Sequence, residues 1–300
     1  MGSTISKGFL AVILIAIVAI SGCTIPFYQT EEPKTVAGNE GLRIESFEPD
    51  IDYLVSNQTF SMKLIVKNVG DSVASNIKAS PYLLTWSGYN RTESCPSSLN
   101  PPNPELNVEG ERCTLEWSVR APEDVAKTET YDVGVKVGYN YTTITTAKIY
   151  AISAKRRIAL AEKGEPLPKV GEIQNSNAPI HADVKLDNVI IIPTSGSKNV
   201  SVIIEINNVG DGNVKYDQST LHYVVDSVTP EVNVSGVSIV NDIDCTDGVY
   251  LRGGEKGSCS FILKIDNSTQ DEIIIPLKIE SKYRYEIKHV SAITVHPRLE

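Results

Sequence analysis

The residues that could do chemistry are few and widely spaced, with four His and five Cys in 300 residues. The segment from Asp242 to Gly248 offers carboxylates in a glycine-containing loop, which is the ligand chemistry that Ca²⁺ prefers. The segment lacks the twelve-residue pattern with a distal Glu, so we interpret it as a solvated turn. Glu111 and Glu255 recur shortly before a Cys, and we interpret both as turn residues rather than as a catalytic carboxylate pair.

Other signs of catalysis or metal binding are missing from the sequence. The histidines show no HxxxH or HxH spacing: His181, His222, His289 and His296. No nucleophile elbow, phosphate-binding loop or dinucleotide-binding fingerprint occurs in a strand–helix context. We therefore predict that the protein is not an enzyme and holds no metal and no cofactor. The net charge of −9 also excludes nucleic acid as an expected partner, because that affinity depends on neutralising phosphates.

The N-terminal segment predicts export. Phe9 to Ile20 is an unbroken apolar run, and Ser21, Gly22 and Cys23 follow it. A basic head, a short apolar core and small residues at a cleavage point are typical of a secretory signal. The quartet Ile-Ser-Gly-Cys resembles the lipobox of prokaryotic lipoproteins, which implies that Cys23 becomes the lipidated first residue of the mature protein.

Two alternatives stay open for residues 1–30. Gly8 to Thr30 contains no charged residue, so an uncleaved membrane-spanning anchor also fits. Lys7-Gly8-Phe9 resembles an archaeal prepilin cleavage site as well. All three interpretations anchor the chain or direct it to a membrane surface, and all place the residues that follow outside the cytoplasm.

An internal repeat predicts the architecture. Phe60 to Asp71 (FSMKLIVKNVGD) matches Val200 to Asp211 (VSVIIEINNVGD) at an offset of 140 residues. Two later landmarks repeat in the same order, namely Gly110-Glu111-x-Cys113 with Gly254-Glu255-x-x-x-Cys259 and Tyr139-Asn-Tyr141 with Tyr283-Arg-Tyr285. Matches in one order at nearly one offset indicate two copies of a single domain. We place these copies at residues 42–152 and 182–297.

Each copy is predicted to be an immunoglobulin-like β-sandwich. Apolar and polar residues alternate from Phe60 to Val66 and again from Val200 to Ile206, the period of a strand with one buried face. About seven short strands with turn signals between them fit each copy. The ends of the copies, Thr130 to Ile152 and Ile273 to Val295, are each predicted to form a closing hairpin. The predicted fold class is all-β, with two tandem sandwiches after an N-terminal signal or anchor helix.

The Asn-Val-Gly-Asp segment that follows the repeated strand resembles CARDB-type and related immunoglobulin-like repeats of bacterial and archaeal surface proteins. The resemblance covers both copies in outline, and its specific part is Asn68 to Asp71 and Asn208 to Asp211 with the strand before each. It implies a sandwich domain in an exported surface protein. It implies no catalytic residues.

The repeat also predicts the disulfides. Cys95 and Cys113 fall in the first copy, and Cys245 and Cys259 fall in the second. The spacings lack the close CxxC pair of a zinc site, and thiols outside the cytoplasm usually oxidise. We therefore predict the bridges Cys95–Cys113 and Cys245–Cys259.

Residues 153–181 are predicted to link the two domains. Ala154 to Lys163 has helix formers and no Gly or Pro, and Gly164, Pro166 and Pro168 then interrupt any regular element. The segment is either a short helix that braces the domains or an extended spacer. Because each domain has its own strands and its own bridge, each is expected to fold alone.

Surface features point to recognition rather than to chemistry. Sequons begin at six positions, Asn57, Asn90, Asn140, Asn199, Asn233 and Asn267, and they are available for glycosylation in a host with the machinery. Sequons together with a lipobox fit an archaeal source best. Trp86 and Tyr89 lead into a Pro-rich loop and are the predicted recognition surface for a protein or glycan partner.

Together these features favour a non-catalytic, membrane-anchored cell-surface protein. Its tandem domains would bind a partner, mediate adhesion or act as a structural spacer. The alternative is a subunit of an extracellular filament or surface layer, because edge strands of a sandwich can accept a strand from a neighbour. Self-association through such edges is part of that alternative.

Overall fold

The computed structural model describes residues 38–86, 91–241 and 243–298, which are predominantly strand. The strands of the first half are β1 (Leu42–Pro49), β2 (Leu54–Val55), β3 (Thr59–Asn68), β4 (Ser75–Tyr82), β5 (Glu93–Ser94), β6 (Arg112–Arg120) and β7 (Glu129–Ile152). Helix α1 (Ala154–Glu162) and β8 (Gln174–Asn175) follow. The strands of the second half are β9 (Ile180–Lys185), β10 (Ile190–Ile191), β11 (Ser197–Asn208), β12 (Asn213–Val214), β13 (Tyr216–Asp217), β14 (His222–Val225), β15 (Ser227–Val232), β16 (Val237–Asn241), β17 (Val249–Leu251), β18 (Lys256–Asp266) and β19 (Glu272–His296), with helix α2 (Ile243–Thr246) between β16 and β17.

The sheets confirm the predicted all-β sandwich fold. Each half has a small sheet, ordered β1-β3-β6 in the first half and β16-β18-β11-β9 in the second. Both halves share one large sheet of nine strands, whose central path is β12-β19-β7-β4-β5. A small sheet of β13, β14 and β17 is added in the second half alone.

The predicted closing hairpins are wrong, because β7 and β19 are each one continuous strand. They pair with each other antiparallel from Glu129 opposite Val295 to Ile152 opposite Glu272. The odd-numbered residues from Val133 to Ala151 are buried throughout. One face of this central ladder therefore covers the cores of both halves.

The residue types explain why no hairpin forms. A two-residue hairpin needs positive φ angles, which Asn and Gly supply. The predicted break in β7 falls between Tyr141 and Thr142, and every residue from Thr142 to Thr146 is β-branched, a type that favours extended backbone. The corresponding part of β19, Ser281-Lys-Tyr283, has no Gly, Asn or Pro.

The two halves exchange their last strands. The end of β19 pairs in parallel with β2 of the first half, where Leu54 lies opposite Val295. The end of β7 pairs in parallel with β10 of the second half, where Ile190 lies opposite Ala151. β1 accordingly contacts β19, and β9 contacts β7. Each sandwich thus contains half of the other copy's final strand.

A local twofold axis passes through the middle of this ladder. Asn140 lies directly opposite Arg284, and these residues are also equivalent in the repeat. Tyr139 lies opposite Tyr285 and Tyr141 opposite Tyr283. A contact that pairs a residue with its own equivalent is the signature of twofold symmetry. The chain is therefore built like an exchanged dimer whose copies are covalently joined.

The predicted helix in the linker is present as α1, and Ser153 caps it by accepting a hydrogen bond from the Arg156 amide at 3.0 Å. Beyond it the chain runs back along β7: Tyr150 N donates to the Lys169 carbonyl at 2.9 Å, and Gly171 N donates to the Lys148 carbonyl at 2.8 Å. The linker is therefore bonded to the large sheet. The division into separately folding domains stays a prediction.

Candidate functional site

Both predicted disulfides are confirmed. Cys95 and Cys113 are bonded with their Cα atoms 6.0 Å apart, which ties the end of β5 to β6. Cys245 in α2 is bonded to Cys259 in β18 with the Cα atoms 5.1 Å apart. Disulfides persist in oxidising compartments, so the structure is that of an extracellular or surface type of protein. Cys23 lies outside the described residues, whose helices are all too short to cross a membrane.

The acidic candidates have structural roles. The backbone carbonyl of Glu111 accepts a hydrogen bond from the backbone N–H of Asn68 at 3.0 Å, and that of Glu255 accepts one from the backbone N–H of Asn208 at 2.7 Å. The Glu111 carboxylate also accepts from the Asn100 amide at 2.8 Å, and this bond lowers the pKa of Glu111. No group of three metal-ligating side chains occurs within residues 38–86, 91–241 and 243–298.

Of the two predicted recognition residues, the structure describes Trp86. Trp86 is partly buried; its Nε1 donates to the Arg120 carbonyl at 2.9 Å, and its ring packs against Tyr131 with centroids 5.2 Å apart. These contacts give Trp86 a packing role in the fold. Tyr89 and the sequon residue Asn90 lie outside the described residues. Recognition at this surface stays a prediction.

The other sequon residues occupy different environments. Asn57 has a positive φ of 60° in a turn, Asn199 is on β11, and Asn233 and Asn267 follow β15 and β18. Asn140 is in the centre of β7, and its Oδ1 is buried without a hydrogen-bond partner. Glycosylation stays a prediction at all of them.

The repeated Asn-Val-Gly-Asp segments form one kind of hydrogen-bonded turn, which we call the Asn–Tyr lock. In the first half, Asn68 is fully buried, and its Nδ2 donates to the Ser72 and Leu99 carbonyls, each at 2.8 Å. The Tyr141 hydroxyl donates to Asn68 Oδ1 at 3.4 Å and accepts from the Ser72 amide at 3.1 Å. The lock fastens the turn after β3 to the central ladder.

The second half repeats the lock atom for atom. Asn208 Nδ2 donates to the Gly212 and Gly254 carbonyls at 2.9 and 3.1 Å. The Tyr285 hydroxyl donates to Asn208 Oδ1 at 2.8 Å and accepts from the Gly212 amide at 3.0 Å. The two repeated sequence features, the Asn-containing turn and the Tyr pair, therefore hydrogen-bond to each other in each copy.

A further pair of asparagines ties each turn to the opposite copy. Asn39, which precedes the first copy, donates through Nδ2 to the Val209 carbonyl at 2.9 Å. Asn177, which precedes the second copy, donates through Nδ2 to the Val69 carbonyl at 2.8 Å. Both the strands and these leading segments therefore cross between the halves.

Four tyrosine rings cluster around the twofold axis on the core side of the ladder. Tyr139, Tyr141, Tyr283 and Tyr285 are each at most 2% exposed, and neighbouring ring centroids are 5.7 to 6.4 Å apart. Burial raises the pKa of every one of these hydroxyls. The rings are neutral core packing.

The outer side of the same axis carries a cleft of about 560 Å³, which we call the axial cleft. Its floor is formed by Gly138 and Asn140 of β7 and by Arg284 and Glu286 of β19. One wall comes from Asn76 and Lys78 in the first half. The other wall comes from the second half, where Asn213, Lys215, Tyr216 and Tyr223 line it. Lys288 also lines the cleft.

The charge of the axial cleft opposes that of the chain. Lys78, Lys215, Arg284 and Lys288 face one lining carboxylate, Glu286. Lys288 Nζ lies 3.4 Å from Glu286 Oε1. In the part of the chain that the structure describes, Lys78, Lys215 and Arg284 form no ion pair. A cavity of this size, with convergent polar groups and aromatic rings, has the character of a ligand site.

Sequence reasoning missed the axial cleft for a physical reason. Its residues come from four strand regions in both copies, and the exchanged ladder brings them together. One signal was present, because Arg284 stands at the position that Asn140 holds in the first copy. A cation that breaks an otherwise polar repeat position is a candidate for a role outside the fold.

Another groove of about 780 Å³ lies in the second half. Its lining mixes polar and charged side chains with apolar and proline ones, which include Pro230, Val232, Val237 and Pro276. Nothing in the structure shows what covers it.

Comparison with known proteins gives no family for the chain. No family model matches it, and no curated protein matches it. The resemblance to CARDB-type repeats therefore stays a prediction.

Some solved structures are distantly similar. An envelope protein, VP37, from White Spot Syndrome Virus matches 49% of this chain and 98% of its own, with 11% identity and a TM-score of 0.25. A bacterial adhesin from Mobiluncus mulieris with intramolecular disulfide, isopeptide and ester bond cross-links matches 87% of this chain and 99% of its own, with 8% identity and a TM-score of 0.20. Similarity at this level carries no functional information, so the function has to be inferred from the chain's own residues.

Proposed function

We propose that this chain is a non-catalytic, membrane-anchored cell-surface protein whose double sandwich is a rigid module that holds a binding surface away from the membrane. The observation that carries the proposal is the central ladder, in which β7 and β19 pair without a break through both halves. The sequence features of an export signal with Cys23 support the anchoring part.

The ladder accounts for the rigidity. Two sandwiches joined by a peptide linker would move relative to each other, because such interfaces are small by default. Here the 24 residues of β7 cross both sandwiches as one strand, with a length of roughly 80 Å at about 3.3 Å per residue. Bending between the halves would require the hydrogen bonds of this ladder to break.

A distance measurement tests the rigid module. Spin labels at Thr130→Cys and Lys148→Cys, in a Cys23→Ser background, mark two exposed sites on β7. A continuous strand gives a narrow distribution near about 60 Å, whereas a closing hairpin would bring the labels to about 20 Å. A broad or short distribution would overturn the rigid module.

Anchoring is tested on the mature protein. We expect mass spectrometry to find an N-terminus at Cys23 that carries lipid, and Cys23→Ser to release or misprocess the protein. An intact segment from Met1 to Cys23 would replace the lipid with a membrane-spanning anchor. Ordered filaments containing the chain on cell surfaces, seen by electron microscopy, would replace the proposal with the filament-subunit alternative.

A further inference from the structure

We propose that the axial cleft binds an acidic oligosaccharide, with carboxylated sugars held by its cations and sugar rings packed against its tyrosines. The inference deepens the proposed function, because it rests on the chain presenting a binding surface outside the cell. Three observations support it, namely the positive charge of the lining, the unpartnered side-chain oxygen of Asn140 and the open floor of the cleft.

The charge of the lining selects an anion. Lys78, Lys215 and Arg284 converge without ion-pair partners in a chain whose net charge is −9. Cations gathered in this way repel one another, and a bound anion offsets the repulsion. Asp217, which lies close enough to Lys215 for its own pKa to respond, is engaged by the Ser219 amide at 2.8 Å.

The neutral groups of the lining distinguish a sugar from a simple anion. Asn140 Oδ1 is buried and accepts no hydrogen bond, and a buried acceptor without a donor is costly. Asn140 lines the cleft, so a turn of its side-chain amide would present this oxygen to the many hydroxyl donors of a sugar, whereas sulfate has no hydrogen to donate and the dianion of inorganic phosphate has one. The rings of Tyr216 and Tyr223, with centroids 5.1 Å apart, add an apolar wall against which a sugar ring can pack.

The floor of the cleft is open because of Gly138. A Cβ added there would meet one backbone oxygen, that of Tyr285, at 4.0 Å. Packing therefore does not require glycine at this position, and glycine inside a strand weakens it. At Gly134, by contrast, a Cβ would lie 2.5 Å from the Tyr82 ring. Glycine at 138 is explained by a ligand that approaches the backbone closely.

Calorimetric titration tests the assignment with the full-length protein in non-ionic detergent. The protein is made in a secreting host that forms disulfides and lacks N-glycosylation, so Asn140 is free. The probe is a hexamer of galacturonic acid, and a hexamer of galactose is the neutral comparison. We expect the acidic hexamer to bind and the neutral one to bind at least about tenfold more weakly, a difference that corresponds to about 1.4 kcal/mol.

Three variants locate the site. Arg284→Gln and Gly138→Val are each expected to weaken binding of the acidic hexamer by about tenfold or more, the first by removing a cation and the second by filling the floor. Lys148→Gln makes the same charge change on the same outer face of the ladder, on β7 and outside the axial cleft, and should leave the affinity unchanged. Melting curves confirm that each variant is folded.

The contrary outcomes are equally specific. Absence of binding, or equal loss with Arg284→Gln and Lys148→Gln, would overturn the site. Equal or tighter binding of inorganic phosphate or of a single-stranded DNA hexamer would overturn the saccharide assignment. Anchoring is not read out in this titration, so a failure of the anchoring proposal leaves its result unchanged.

Discussion

The two copies agree in their locks and differ in the segment that faces the axial cleft. In the first copy the chain advances from Ser75, opposite Asn140, to Lys78, opposite Gly138, with a one-residue bulge at Asn76. In the second copy, Lys215 N donates to the Arg284 carbonyl and Ser227 lies opposite Lys282. The same step of two residues along the ladder therefore spans the whole segment from Lys215 to Ser227. The added residues form the excursion that carries β13 and β14.

This difference separates the elements that stabilise the fold, which occur in both copies, from the segment that can contact a ligand, which occurs in one. The Asn–Tyr locks, the leading asparagines and the exchanged strands occur in both copies, as the symmetric ladder requires. The excursion occurs once and contributes Tyr216 and Tyr223 to the cleft. A cleft centred on a symmetry axis is therefore asymmetric in its walls, which suits a ligand that itself has a direction.

The largest expected effect comes from separating the copies. When the halves are expressed apart, divided near Pro168, we expect both to be unfolded, because each lacks the strand that the other supplies. Mixing them should restore the native far-ultraviolet circular dichroism and a 1:1 complex on size exclusion. This result would contradict the expectation, drawn from the repeat alone, that each domain folds by itself.

Cleavage of the intact folded protein near Pro168 is the matched control. Because the ladder and both disulfides survive the cut, the nicked protein should stay folded and migrate as one particle. Independent, cooperative melting of the two separated halves would show that each can close its own hairpin, and the exchange would then be optional.

The error in the hairpins shows what sequence can and cannot fix in this fold. Alternation predicted the strands, and the repeat predicted the copies and the bridges, because these features depend on local period and on pairing within one copy. Partner choice for Thr142 to Ile152 depends on residues more than a hundred positions away. The local signs that the strand continues were the lack of Gly or Asn at the two turn positions, Tyr141 and Thr142, and the β-branched residues that follow.

Alkaline pH should destabilise both copies steeply through the tyrosine cluster. Burial raises the pKa of Tyr139, Tyr141, Tyr283 and Tyr285 above the ordinary value near 10. The stability that these neutral tyrosines give to the folded protein is fully present below about pH 10 and is lost as the pH rises toward their folded-state pKa values. Each contributes about 1.4 kcal/mol per pH unit, so unfolding and tyrosinate absorbance should appear together.

Phenylalanine variants compare the copies in this titration. Tyr141→Phe and Tyr285→Phe each remove one of the ionising groups, so each should reduce the slope of stability against pH by about 1.4 kcal/mol per unit. Ionisation of these tyrosines in the folded protein near about pH 10 would contradict their burial.

The two lock asparagines should contribute differently to stability although they form the same hydrogen bonds. Asn68 is 0% exposed, so Asn68→Ala leaves the Ser72 and Leu99 carbonyls short of a donor and should cost about 3 kcal/mol of unfolding free energy. Asn208 is partly exposed, water can replace its amide, and Asn208→Ala should cost about 1 to 2 kcal/mol. Chemical denaturation measures both, and Asn199→Ala on the exposed side of β11 should be neutral.

The axial cleft shows the opposite limit of sequence reasoning. Its cations, Lys78, Lys215 and Arg284, are separated along the chain and share no motif, so no spacing rule could assemble them. Trp86 and Tyr89 stood out because aromatic residues beside a Pro-rich loop are conspicuous, whereas Trp86 packs against Tyr131. Residues that break the repeat were the better signal for a site between the copies.

The smallest expected effect distinguishes Glu111 from Glu255. Both backbone carbonyls serve their lock, but the Glu111 carboxylate alone accepts a bond within the described residues, from the Asn100 amide at 2.8 Å. This bond lowers the pKa of Glu111. The stabilisation is therefore present above the unfolded value of about 4.3 and is lost as the pH falls through the folded one. Glu111→Gln should remove a small part of the acid dependence of the melting temperature, and Glu255→Gln should not. Equal effects of the two variants would contradict the assignment of this acid response to the bond between the Glu111 carboxylate and the Asn100 amide, and the two copies would then be alike at this position.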